Sequence, residues 1–135
     1  MNKYAAGYIA AAVVMLAIDM VWLGVVAKPM YQKGIGHLMA EQPMLGAAIA
    51  FYLIYPLGLI VFAVAPQGAD PAWGKTILMG ALFGFFAYAT YDLTNLATLK
   101  NWPISLAVID IAWGSAISAV SAAAAKAAWN WAAKA

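Results

Sequence analysis

The stretch Y-A-A-G-Y-I-A-A-A-V-V-M-L-A-I-D-M-V-W-L-G-V-V-A, residues 4–27, decides the fold. It is an apolar run of about 24 residues interrupted only by Asp19, and about 20 suffice for a helix to cross the hydrocarbon core of a bilayer. A cleaved signal peptide is the rival reading, suggested by Lys3 and the alanines. The run is too long for one, contains an aspartate, and is not followed by an A-x-A site with a polar sequel. Lys28-Pro29 ends the helix, because a residue before proline is pushed out of the α region.

The rest of the chain repeats this pattern. Of its 135 residues, 67% are hydrophobic and 9% charged, with a mean hydropathy of +0.85. A soluble domain carries about 25% charged residues, so the bilayer is the expected solvent. Length allows one domain, residues 1–135. All-α architecture is expected, as a polytopic four-helix transmembrane bundle with helices over about 4–27, 43–65, 72–99 and 103–128. Both termini then lie on one side. Pro66 to Pro71 reads as a tight turn, and Pro43 as a first-turn residue. Pro56, lacking an N–H, is expected to free the carbonyl of Tyr52. The connector Lys28–Gln42 is longer than the usual two to eight or so residues between bundle helices. It reads either as a lid over a site or as a surface helix at the headgroups.

The charge balance excludes some functions. The net charge is +2 with no arginine, and the scattered lysines make no basic patch for nucleic acid. There is no cysteine for a disulfide, a thiol nucleophile or a zinc ribbon. No G-x-S-x-G, H-E-x-x-H, phosphate loop or dinucleotide fingerprint occurs. Ser105, Ser115, Ser118 and Ser121 read as small packing positions. Most of the tryptophans read as interfacial anchors, Trp102 and a tail of Lys126, Trp129, Trp131 and Lys134 among them.

The candidate site comes from acids inside the spans. Asp19, Asp92 and Asp110 each lie seven or eight residues from the surface opposite the termini, so roughly 10–12 Å deep at 1.5 Å per residue. Wound at 100° per residue, Tyr88, Tyr91, Asp92, Asn95 and Thr98 share an arc of about 120°. Lipid cannot satisfy such an arc, so it must face protein, water or a ligand. Asp19-x-x-Trp22 and Asp110-x-x-Trp113 form a weak inverted echo on antiparallel helices, in which one tryptophan would roof a cavity and the other floor it. Converging carboxylates in low dielectric retain protons, bind a cation, or join a structural network. Metal is the least favoured of these. His37 is the single histidine, and no E-x-x-H pair of a carboxylate di-metal bundle is present.

The chain resembles a family of small bacterial inner-membrane proteins classed only as a domain of unknown function. The resemblance rests on D-x-x-W-L-G at Asp19–Gly24, G-H-L at Gly36–Leu38, Y-D-L-T-N-L-A-T-L-K-N-W-P at Tyr91–Pro103 and D-I-A-W-G at Asp110–Gly114. It implies a four-helix inner-membrane protein and no particular activity. The expected function is an intramembrane site for a small or lipidic ligand, proton-linked, built from Asp19, Trp22, Tyr91, Asp92, Asn95, Asp110 and Trp113 and covered by His37. Whether a reaction follows is left open. The alternatives are a small proton-coupled transporter and an accessory membrane subunit. No cofactor and no metal are expected. The expected partners are the bilayer, the ligand, and a second copy or another membrane protein. Four lysines on the terminal side against three on the other place the termini in the cytoplasm.

Overall fold

A computed structural model describes residues 1–68 and 73–134 of the chain. Helix α1, Lys3–Val21, opens on Asn2, whose side-chain oxygen accepts from the backbone N–H groups of Tyr4 at 2.7 Å and Ala5 at 3.4 Å. Those are donors that a helix start otherwise leaves bare. The helix runs directly into a π turn, Trp22–Val26. Lys28–Ile35 is the short helix α2, with Pro29 in its first turn, and a 3-10 turn over Gly36–Leu38 follows. Helix α3, Leu45–Leu59, is prolonged by a π turn, Ile60–Val64, and a 3-10 turn, Ala65–Gln67. Helices α4, Trp73–Thr98, and α5, Ile104–Lys134, complete the chain. Among the described residues there is no strand. The end of the turn expected at Pro66–Pro71 and the helix start expected at Ala72 lie outside the described residues.

Four helices are long and apolar enough to cross a membrane: Lys3–Val26, Leu45–Gln67, Trp73–Thr98 and Ile104–Lys134. The protein is an all-α, four-helix membrane bundle. Helix α5 is its central post. It packs along α4 on one side and α1 on the other, while α3 closes against α1 and, through its π turn, against α4. Lipid tails are as apolar as leucine, so burial alone does not hold such spans together; close packing and interhelical hydrogen bonds must. The α4–α5 seam has the small residues this requires. A Cβ on Gly80 would stand 2.7 Å from that of Ala122, and one on Gly84 would overlap the Gly114 carbonyl and the Ser118 side chain. The Tyr55 hydroxyl lies 2.6 Å from Ser118 Oγ, joining α3 to α5. Bonds of this kind inside membrane bundles contribute about 0.6 kcal/mol each.

Three sequence expectations change here. The last helix runs to Lys134, beyond residue 128. Lys126 and Trp129 are buried inside the protein, not exposed as surface anchors: Trp129 packs edge-to-face on Tyr4 at 4.5 Å, and Lys126 Nζ donates to the Gly68 carbonyl at 3.3 Å. The alanines around them on α5 leave room for long side chains to lie against neighbouring helices, whereas Trp131 does point outward. Trp102 is buried as well, because Met30, Tyr31 and Ile35 of α2 fold over it. Near Pro56, the Tyr8 hydroxyl donates at 2.7 Å to the carbonyl of Leu53, one residue past the Tyr52 carbonyl expected to be free. The contact of Tyr4 and Lys3 with Trp129 sets both termini at one end of the bundle.

Candidate intramembrane site

At the other end, α1, α3, α4 and α5 splay around a cavity of about 640 Å³ that α2 covers. The connector thus forms a short helix that borders the cavity. Gly34 lets α2 settle against α5, since a Cβ there would come within 3.0 Å of Leu106 and 3.1 Å of Pro103. α2 contributes Lys28, Tyr31, Gln32 and Ile35 to the cavity lining, and the chain just after it adds Met39.

Two carboxylates face this space. Asp19 on α1 is 4% exposed and accepts two hydrogen bonds, one from Tyr52 Oη of α3 at 2.6 Å and one from Trp113 Nε1 of α5 at 3.1 Å. Asp110 on α5 is 5% exposed and accepts from Tyr31 Oη of α2 at 2.5 Å; the same hydroxyl accepts from Trp22 Nε1 of the π turn after α1 at 3.2 Å. The two indoles stack face to face, centroids 4.1 Å apart and planes 6° from parallel. The D-x-x-W echo is therefore realised as a crossed pair. Trp113 donates directly to the aspartate of α1, and Trp22 reaches the aspartate of α5 through Tyr31. The expected roof and floor are instead one stacked wall, because the two antiparallel helices bring both rings to a single level.

Tyr31 lies outside the spans, and its phenol is held above the ordinary tyrosine range, first by burial and then by donation to Asp110. It stays a donor at neutral pH. The π turn begins at Trp22, and such turns inside helices recur at functional sites because they re-aim side chains.

The remaining expected residues are placed differently. Tyr91 lines the cavity, half exposed, with its ring edge-on to Trp102 at 5.8 Å. Tyr88 lines it too, its ring seated where a Gly114 side chain would be. Asp92 is wholly buried behind the lining; neither oxygen has a hydrogen-bond partner among the described residues, and its carboxyl neighbours that of Asp110. Asn95 is half-buried and outside the lining, and Thr98 turns its hydroxyl back to the Thr94 carbonyl at 2.8 Å. His37 is exposed and does not line the cavity. Among the described residues no three His, Cys, Asp or Glu side chains are grouped to hold a metal. Sequence reasoning left Tyr31 and Tyr52 out of the site, although each supplies the shortest bond to its aspartate. Tyr52 offers a sequence signal in its depth: counted from Pro43 at 1.5 Å per residue it lies about 14 Å below the same surface as the acids.

No curated protein and no solved structure matches the chain significantly. The profile of one family, described as "Predicted membrane protein (DUF2177)", matches residues 4–127. With nearly all of its length matched, the chain belongs to the DUF2177 family of predicted membrane proteins.

Proposed function

We propose that this membrane protein binds a small or lipidic ligand in the cavity between its spans, in a proton-linked way, with Asp19 and Asp110 as the polar groups and α2 as the lid. One observation carries the reading: a largely apolar cavity of about 640 Å³ contains two buried carboxylates whose recorded donors are all neutral phenol O–H and indole N–H groups. Ligand sites are apolar hollows of about 300–1,000 Å³ with a few convergent polar groups. Burying a carboxylate without a paired charge is costly, so an occupant that supplies positive charge or donors is favoured there, and exchange of that occupant for a proton is the linkage proposed. Trp22, Trp113 and Tyr91 form the walls, Asp92 is a second carboxyl behind Asp110, and Asn95 and His37 have at most an indirect part.

The reading is tested by mass spectrometry of molecules that stay with the protein after gentle extraction. Wild type is expected to carry a bound non-protein molecule, and Ala87→Trp, which fills the cavity from α4, to lose it while still folding. An equal complement on both proteins would defeat it. We also place the protein in a bacterial inner membrane with cytoplasmic termini. The support is Lys3, Lys75, Lys126 and Lys134 on the terminal side against Lys28, Lys33 and Lys100 on the other. Labelling of an Asn2→Cys variant in intact cells by an impermeant thiol reagent, with Lys33→Cys protected, would reverse that orientation.

A further inference from the structure

The walls of the cavity carry chemistry beyond shape. Eight of its sixteen lining residues are aromatic, among them Trp22, Tyr31, Tyr52, Tyr88, Tyr91 and Trp113. Ring faces are electron-rich and attract a cation lying within about 6 Å, most strongly where water is excluded. Independently, Asp19 and Asp110 are acids that no cationic side chain pairs with among the described residues. Trp113, Tyr52 and Tyr31 donate hydrogen bonds to them without bringing charge. The one lysine of the lining, Lys28, is an exposed residue and pairs with no described acid. Rings and carboxylates thus favour the same sign of ligand. An inorganic cation is poorly served, because hard ions take several oxygen ligands and the described residues group no three carboxylate, thiol or imidazole side chains.

We infer that the cavity selects an organic cation, an amine or quaternary ammonium on an apolar body, with the charged nitrogen held between the aromatic walls and the Asp19 and Asp110 carboxylates. This rests on the reading that the cavity is a ligand site. The same chemistry is found in a free hydrophobic amine and in the headgroup of an aminophospholipid.

The test uses protein in phosphatidylglycerol nanodiscs and equilibrium dialysis corrected with protein-free discs. The probes are benzyltrimethylammonium and its uncharged isostere neopentylbenzene, which differ by N⁺ in place of C. The cation is expected to bind at least tenfold tighter. Tyr91→Leu, which removes a half-exposed ring with no hydrogen bond recorded for its hydroxyl, should weaken the cation several-fold and leave the isostere unchanged. Asp110→Asn should erase most of the preference. Equal affinity for the two probes overturns the inference, as does a preference that survives both substitutions. If neither probe binds but wild type carries a co-purified neutral molecule, the cation inference falls and the ligand site stands; if it carries nothing, both fall. Repeating the titration in phosphatidylethanolamine discs separates the sources. A headgroup occupant lowers the apparent affinity of the probe, whereas a free amine leaves it unchanged.

Discussion

The two ends of this bundle are built on opposite plans. At the terminal end, Gly80 and Gly84 of α4 meet Ser118 and Ala122 of α5 with no room for another methyl, and Trp129 and Lys126 fill what the alanines leave. At the lid end the same helices present Tyr88, Tyr91, Asp110 and Trp113, which line the cavity. The contrast turns on side-chain size and polarity. Small residues let backbones approach, which is how spans associate when lipid competes for every apolar surface. Large rings with polar tips cannot pack so closely, and they are retained here with carboxylates that cost free energy to bury. Close small-residue packing marks one end, and the cavity with its carboxylates the other.

Substitutions should reproduce that division. The largest effect is expected at Gly84→Leu, where the new side chain overlaps the Gly114 carbonyl and Ser118. Overpacking in a core costs about 1–3 kcal/mol or more, and here a backbone group would have to move. The variant should yield no monodisperse folded protein in detergent by size exclusion; a wild-type thermal midpoint would show the seam to be loose. Tyr31→Phe comes next. It removes the hydroxyl that donates to Asp110 and accepts from Trp22, and a buried polar group left without its partner costs about 1–3 kcal/mol. The midpoint should fall and the lid should become protease-sensitive, with the fold retained. Because the folded phenol titrates above its ordinary value of about 10, its contribution is fully present below that pH. It should be lost only as pH rises beyond it, so the wild-type and Tyr31→Phe midpoints should converge only in strong alkali.

Smaller effects follow where charge matters more than shape. Asp110→Asn keeps an acceptor for Tyr31, so its thermal midpoint should stay close to wild type. Retention of a cationic ligand should fall several-fold, because the amide carries no charge to pair with it. A collapse of the fold would assign the carboxylate to structure. The smallest change is expected at His37→Ala, within about 0.5 kcal/mol of wild type, since His37 is exposed and lies off the cavity lining.

The spans were legible because hydropathy and length suffice to mark a transmembrane helix. The acids were legible because an aspartate in such a run is conspicuous, and equal depths on Asp19 and Asp110 translated into one level of the bundle. The hydrogen-bond partners were not. Tyr31 reaches Asp110 only because the connector folds into α2 and turns back over α5, a tertiary event with no local periodicity to announce it. Arc arithmetic placed Asn95 and Thr98 beside Tyr91, yet Thr98 satisfies itself on its own helix, an option open to any threonine in a helix. The burial of Trp102 and Trp129 was hidden for a related reason. Tryptophan near a span end is usually exposed at the interface, and packing by α2 and by the start of α1 buries these two.

Labelling kinetics of introduced thiols test the two-ended account most directly, because the native chain has no cysteine. Ala87→Cys places a thiol on the cavity lining, and Ser121→Cys replaces a wholly buried hydroxyl of α5 with a near-isostere. With a small membrane-permeant maleimide in detergent, Ala87→Cys should react readily and be protected by ligand, while Ser121→Cys should stay unreacted until the protein unfolds. Equal rates at the two positions, or faster labelling at Ser121→Cys, would contradict a bundle open at the lid end and packed at the other.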